Sequence, residues 1–303
     1  MIHIIIASYN EPKSTEKAIN VFLNKNIPKP FEIIVSDPFP EVEEYLINKF
    51  GKKIRFFQDP DEGKSFALNM ILEEIYSENK NDIIIFTDGD VYVSENSVNE
   101  ILDKFNDPEI GLVCGHPISL NPRNEKYGYF SHLFFDEMNL TRKKLSEKKE
   151  FFEVSGYLFA IRNGIIKNFP VESSEDNIIP ILLWNKGYKL SYAEEAKVYV
   201  LNPQNEKDWI TQKKRNIKGH IALEKLVDKM PERKNTFLQE AFRGFKIMFR
   251  HPKNIKEFSW LISSAFLRLK AWRLAKKDLK KGKEYKDGWR GYEGETNSTK
   301  PLD

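Results

Sequence analysis

The chain has 303 residues, 40% hydrophobic and 13% aromatic, which fills a sizeable core and excludes a wholly disordered chain. One cysteine, Cys114, excludes an internal disulfide and fits a reducing compartment. The net charge is only +3, yet Arg268 to Arg290 carries ten Lys/Arg against three Asp/Glu, so the remainder sums to −4.

The first residues hold no basic leader and only a short apolar run. His3 to Ala7 therefore reads as a strand and not a signal peptide. No window holds 18 apolar residues free of charge, so no spanning helix is expected. Pro12 suits a helix start, with Ala18, Val21 and Phe22 as its apolar stripe. Phe31 to Ser36 predicts a second strand ended by Asp37-Pro38. Val42 to Phe50 predicts a helix stopped by Gly51, and Ile54 to Phe57 a third strand. After a turn at Asp59 to Gly63, Phe66 to Ile75 is a strongly apolar helix. The unbroken run Ile83 to Phe86 then leads into Thr87-Asp88-Gly89-Asp90 and reads as a strand buried on both faces. Alternating strands and helices imply right-handed βαβ units, an α/β fold and a mostly parallel sheet.

Further on, Val98 to Phe105 predicts a helix, Ile110 to His116 a strand and Tyr127 to Leu145 a long helix. Phe151 to Arg162 includes a strand-like segment around Ser155-Gly156. Ser174 to Lys186 predicts a helix capped near Ser173 or Ser174, with Pro180 inside it. Leu190 to Val200 is a strand, and Trp209 to Lys229 a Lys/Arg-rich helix. From Phe237 on, two or more amphipathic basic helices precede a Gly-rich polar tail. No internal repeat is present.

Three clusters carry chemistry. Ligands of open α/β sheets sit beyond the carboxyl ends of the strands, which puts Asp88 and Asp90 at the ligand edge. Two carboxylates suit a Mg²⁺ or Mn²⁺ that completes its shell with water and substrate phosphates. The plain alternative is a turn with a capped helix behind it. An aspartyl-phosphatase arrangement fits less well, because Tyr92 stands where Thr or Val is expected. Ser174-Glu175-Asp176 is either a charged helix N-terminus or the home of a general base at Asp176. Gln212 and Arg215, three apart on a helix, either share a solvated face or clamp diphosphate oxygens.

Taken in order, these stretches resemble the family 2 glycosyltransferases and their GT-A fold, over roughly residues 1 to 225. Ile5 and Ala7-Ser8-Tyr9-Asn10-Glu11 look like the family's first strand and nucleotide loop. Glu32 to Asp37 looks like the second strand, whose Asp reads the base. Gly63-Lys64-Ser65-Phe66-Ala67-Leu68-Asn69 is similar to the G-K-x-x-A-L-N helix. Asp88-Gly89-Asp90 falls on the DxD metal site, Val154-Ser155-Gly156 on the acceptor side, Glu175-Asp176 on the E-D pair and Gln212 to Asn216 on Q-x-x-R-W.

The resemblance implies a GT-A, Rossmann-like mixed sheet flanked by helices. Its nucleotide-sugar half would be 1–115 and its acceptor half 116–230, with 231–303 as the basic helical region. It implies an inverting hexosyl- or N-acetylhexosaminyl-transferase that uses a UDP- or GDP-sugar with Mn²⁺ or Mg²⁺. Ala7 to Glu11, Asp37, Lys64, Asn69, Asp88 and Gly89 would bind nucleotide, and Asp90 with Asp88 the metal. Gln212 and Arg215 would bind diphosphate. Ser155, Gly156 and Glu175 would face the acceptor, a saccharide or lipid-linked group, and Asp176 would be the base. Pro38 replaces an Asp of the D-D-G-S turn, and Asn216 stands where processive members carry Trp. Single transfer is therefore expected, not polymerisation. No His follows Val200-Leu201-Asn202 to add a metal ligand.

The tail interleaves Phe258, Trp260 and Trp272 with Arg268, Lys270 and Arg273, and places Phe242, Phe245 and Phe249 beside Arg243, Lys246 and Arg250. Such helices lie in a membrane interface, or pack on the catalytic domain or on a twin subunit. A peripheral place on the inner face of the cell membrane is expected, with no nucleic-acid partner. A non-catalytic nucleotide-sugar-binding scaffold is the other function class.

Overall fold

The computed structural model describes residues 1–24, 26–231, 247 and 250–285. Strands β1 (Ile2–Ala7), β2 (Phe31–Asp37), β3 (Arg55–Gln58) and β4 (Ile83–Asp88) alternate with helices α1 (Pro12–Leu23), α2 (Pro40–Phe50) and α3 (Lys64–Glu74). Their order across the sheet is β3-β2-β1-β4, all parallel. Each apolar run feeds both faces. Ile4, Ile6 and Ile85 enter one core cluster; Ile5, Ile84 and Phe86 enter the other. None of the six is more than 2% exposed, which is why these strands read as unbroken hydrophobic runs.

The sheet continues through β5 (Tyr92–Val93), β6 (Ile110–Ser119), β7 (Leu158–Arg162) and β8 (Lys189–Val200) in the order β4-β7-β6-β8-β5. β7 is antiparallel to both β4 and β6, β8 is parallel to β6, and β5 is antiparallel to β8. Helices α4 (Ser97–Lys104), α5 (Lys126–Glu147), α6 (Glu175–Asn185) and α7 (Glu206–Leu226) complete the layers, and α8 (Ile255–Lys280) follows. Among the described residues the result is one mixed eight-stranded sheet: the alternation of elements predicts its parallel β3-β2-β1-β4 half, and the mixed character is what the family resemblance implies.

From β1 the chain moves outward to β2 and β3, then returns to β4 on the other side of β1. That reversal leaves a crevice at the carboxyl ends of β1 and β4. The register pairs Ala7 with Asp88, so the loop after β1 lies beside the turn after β4.

One local expectation changes, and one strand carried none. Ser155 and Gly156 are not in a strand; β7 starts at Leu158. The Gly156 N–H donates to Asp176 Oδ2 at 3.0 Å, and so is withdrawn from any ladder. Strand β5 is two residues long, too short to leave a periodic signal. Pro180 lies inside α6 without ending it.

The tail expectation resolves in part. Phe242, Phe245 and Phe249 lie outside the described residues. The described tail is one 26-residue helix, α8, and one of its faces packs on the body. Leu267 and Ala271 join Tyr129 and Phe130 of α5 and Trp209 and Ile210 of α7 in a third cluster. Among the described residues no helix is long and apolar enough to cross a membrane.

Ion pairs pin both ends of α8. Arg123 Nη2 donates to Glu257 Oε2 at 3.1 Å and to the His251 carbonyl at 2.8 Å. Asp278 Oδ2 lies 2.5 Å from Lys214 Nζ and 3.6 Å from Lys218 Nζ. Burial alone would raise both carboxyls. Arg123 and the Lys253 N–H hold Glu257 below its usual range, and the two lysines do the same for Asp278.

A depressed carboxylate contributes stability above its unfolded pKa, about 4 for Asp and Glu, and loses it as pH falls through the folded value. The docking of α8 is therefore expected to fail before the sheet unfolds as pH drops below about 4. Arg123→Ala should move that release to higher pH. Pepsin cleavage within 255–280 against pH checks both; simultaneous loss of α8 and sheet would contradict them.

Candidate active site

A cavity of about 360 Å³ opens at the crevice between β1 and β4. Its floor is the loop after β1. Asn10 there adopts φ 54°, a left-handed conformation that Asn tolerates better than most residues. That turn aims the Asn10 N–H at Asp37 Oδ2, at 3.0 Å, while the Phe39 N–H donates to Asp37 Oδ1 at 2.9 Å. Asp37 is wholly buried, and that loss of water raises its pKa against those hydrogen bonds.

The turn after β4 forms one wall. Gly89 donates its N–H to the Ala7 carbonyl at 2.8 Å. A Cβ at Gly89 would sit 2.6 Å from Thr15 Oγ1 and 3.2 Å from Ser8 Cβ, so only glycine lets the two loops close on each other. Asp88 and Asp90 flank it on the cavity wall.

Lys64, at the first turn of α3, crosses the cavity. Its Nζ donates to Asp88 Oδ1 at 2.6 Å and lies 2.6 Å from Glu175 Oε1. Burial would lower the pKa of this ammonium, but Asp88 and Glu175 outweigh that and hold it above its ordinary value. Lys64 thus ties the end of β4 to the start of α6.

Asp176, next to Glu175 in the first turn of α6, faces the same cavity. The Gly156 N–H fixes its Oδ2. A Cβ on Gly156 would press on Glu175 Oε1 at 3.1 Å.

The 153–156 loop is held in turn by Arg142 of α5, only 2% exposed. Its Nε donates to the Glu153 carbonyl at 2.8 Å and its Nη1 to Ser155 Oγ at 3.2 Å. Tyr157 follows that loop. Its phenol pKa is raised by burial and then by Asp88, Asp90 and Asp176, so all three carboxylates act on one ring.

The structure thus brings Ala7, Ser8, Tyr9 and Glu11 to one cavity with Lys64, Asp88, Gly89 and Asp90. Ser155, Gly156, Glu175, Asp176, Gln212 and Arg215 complete its wall. Asn10, Asp37 and Asn69 lie off that wall. The carboxylate of Asp37 shapes the loops from beneath. Asn69 Nδ2 donates to the Phe169 carbonyl at 2.7 Å and its Oδ1 accepts the Phe169 N–H at 3.0 Å, which clips α3 to the segment before α6. Glu175, expected to face the acceptor, has a side chain 4% exposed and is held by Lys64.

Several wall residues escape sequence reasoning. Asp59 and Asp61 follow β3, where they read only as turn formers. Arg142 and His220 sit among Lys-rich helical runs that look solvated. Tyr157 adjoins the Val154-Ser155-Gly156 match and could have been found by extending it one residue.

Comparison with known proteins gives the family and the fold. The sequence profile described as Glycosyl transferase family 2 matches residues 3–169. The chain is 24% identical over 236 residues to the "Probable glycosyltransferase YdaM" of Bacillus subtilis (strain 168), covering 72% of this chain and 55% of that protein. It is 27% identical over 135 residues to the O-antigen chain rhamnosyltransferase WbaN of Salmonella anatum, covering 40% and 42%. The chain thus spans about half the length of the curated relatives it matches. Among solved structures it is similar to the mannosyltransferase PcManGT from Pyrobaculum calidifontis in complex with GDP-Man and Mn²⁺. That match has a TM-score of 0.59 at 15% identity and covers 93% of this chain and 80% of that one. S. aureus TarS 1-349 gives 0.50 at 15% identity, with 96% and 94% covered. At such identities the likeness is one of fold.

Proposed function

Because the chain belongs to glycosyl transferase family 2, we propose that it moves one sugar from a nucleoside-diphosphate sugar to an acceptor by a single inverting displacement. The observation that carries this reading is that Asp90 and Asp176 line one cavity.

The bond from the acceptor oxygen to the anomeric carbon forms as the bond to the diphosphate breaks. The nucleoside diphosphate leaves with the electron pair. Asp176, fixed by the Gly156 N–H, takes the proton of an acceptor hydroxyl; toward a phosphate acceptor, already ionised, it would orient only. Gln212 and Arg215 supply donors for the departing phosphates, with Arg215 Nη2 also donating to the Tyr285 hydroxyl at 3.1 Å. The loop Ser8 to Glu11 holds the nucleotide.

The donor set fits a hard divalent ion. Asp88 and Asp90 would offer oxygen ligands from the cavity wall, and the described residues hold no cluster of three acids, His or Cys that would cage a metal alone. A Mg²⁺ or Mn²⁺ of this kind relies on two carboxylates plus water and phosphate oxygens. Bound there, it would neutralise charge on the leaving diphosphate.

A panel of nucleotide sugars with Mn²⁺ tests the reading. One donor is expected to raise the melting temperature, by about 2.7 kcal/mol of added stability at a hundredfold excess over its Kd, and to be slowly hydrolysed without acceptor. Stabilisation with no hydrolysis would favour a non-catalytic scaffold.

The outer face of α8 supports a place at an anionic membrane. Ile255, Phe258, Ile262, Phe266, Leu269 and Trp272 recur at helical spacing and are exposed, Ile255 at 88% and Phe266 at 68%. Lys256, Lys270, Arg273 and Lys276 flank them. Apolar side chains enter the interface while Lys and Arg reach anionic headgroups, at on the order of 1 kcal/mol per basic residue. Phe266→Glu should release the protein from anionic liposomes in a flotation assay; unchanged binding would remove the membrane from this reading.

A further inference from the structure

A second hollow, of about 810 Å³, adjoins the site. Its wall is continuous with the donor cavity, because Met138, Arg142, Glu153, Asp176, Asn177 and His220 line both. From Asp176 it runs between α5, α6 and α7 to α8. Its apolar lining is Leu145, Phe151, Ile181, Trp184, Leu223 and Met230. Trp184 and Phe151 meet edge to face at 5.7 Å, a rigid aromatic wall.

The charges on this trough are uneven in how they are used. Arg142 is engaged by the Glu153 carbonyl and Ser155, and Lys149 Nζ lies 3.0 Å from Glu109. His220 lies 4.0 Å from Glu153, and Glu150 also lines the trough. Lys229 and Arg268 also line it, and neither has an ion-pair partner among the described residues. Arg268 approaches Lys213, whose ammonium lies 4.1 Å over the Phe134 ring. Loss of water and then Arg268 push the Lys213 pKa down to about 7. Acids line the trough too, but Arg268 and Lys229 are left without an ion-pair partner among the described residues, and such a cation beside an apolar wall is complementary to an amphiphilic anion.

We propose that this trough is the acceptor subsite. It takes a saccharide carried on a lipid phosphate or diphosphate, with the lipid chain along the apolar wall and the anion against Arg268. Arg268 lines the trough and not the donor cavity, whereas Asp176 lines both. With the phosphate held at Arg268, the group presented to Asp176 is a sugar hydroxyl. The inference rests on the transferase reading and chooses between its two acceptor types.

Farnesyl diphosphate is a probe for the trough alone, since it carries no sugar to be glycosylated. Calorimetric titration in EDTA keeps divalent metal, and so the donor site, out of play. The full chain should bind farnesyl diphosphate more tightly than either farnesol or inorganic diphosphate. Arg268→Ala should weaken that binding about tenfold or more, the loss expected for a charge-assisted contact. Thr141→Trp, which fills the trough from α5, should weaken it without removing a charge. Both variants should keep wild-type stabilisation by donor and Mn²⁺, which shows that they fold. Equal affinity for farnesyl and inorganic diphosphate, or wild-type affinity in both variants, would overturn the proposal. Failure of any nucleotide sugar to stabilise the wild type would instead overturn the transferase reading.

Discussion

Replacing Asp90 with alanine is expected to reduce sugar transfer by about three orders of magnitude, the loss of roughly 4 kcal/mol of transition-state stabilisation. Asp90 and Asp88 are the acids placed at the end of β4, beside the loop after β1. They are not equivalent. Asp88 already bonds Lys64, which also lies against Glu175, so its removal disturbs a network linking β4 to α6. Asp90 is a partly exposed turn residue, and its loss should leave the fold intact. The variant should therefore melt like the wild type while losing Mn²⁺-dependent nucleotide binding. Turnover at the wild-type rate in Asp90→Ala would discard the metal role.

Asp176→Asn is the second large effect. Removing a general base costs about 10²- to 10⁴-fold in rate. Asparagine keeps the shape of the side chain and an oxygen to accept the Gly156 N–H, so the 153–156 loop should stay in place. The expected result is a fall in kcat with the donor KM little changed, read from initial rates at saturating acceptor. An equal fall in donor affinity would make Asp176 a structural residue. Substituting Gly156 would be a poorer probe, because its Cβ presses on Glu175 and would change both carboxylates together.

These two residues also show how much was legible in the chain. Asp90 could be found because it follows the unbroken run Ile83 to Phe86, and such a run in an α/β pattern must be a buried strand ending at the ligand edge. Asp176 could be found only by its motif, since an acid in the first turn of α6 looks like any charged helix start. Asp37 also followed a buried strand, yet the Asn10 and Phe39 amides occupy its oxygens, a fate that depends on the paths of two loops. Asn69 sits in a recognisable helix motif, but Phe169, a hundred residues away, takes both ends of its amide.

Local pattern determined the order of the helices and of every strand but β5, the two-faced burial of β1, β2 and β4, and the basic, amphipathic character of α8. Those properties depend on hydrophobic period and turn residues, which are written along the chain. Tertiary structure decided that Lys64 bridges Asp88 and Glu175, that Arg142 holds the loop under Asp176, and that one face of α8 is covered while the other is bare. Each of these is a contact between segments far apart in sequence. Their partners are set by sheet order and helix packing, which no local pattern encodes.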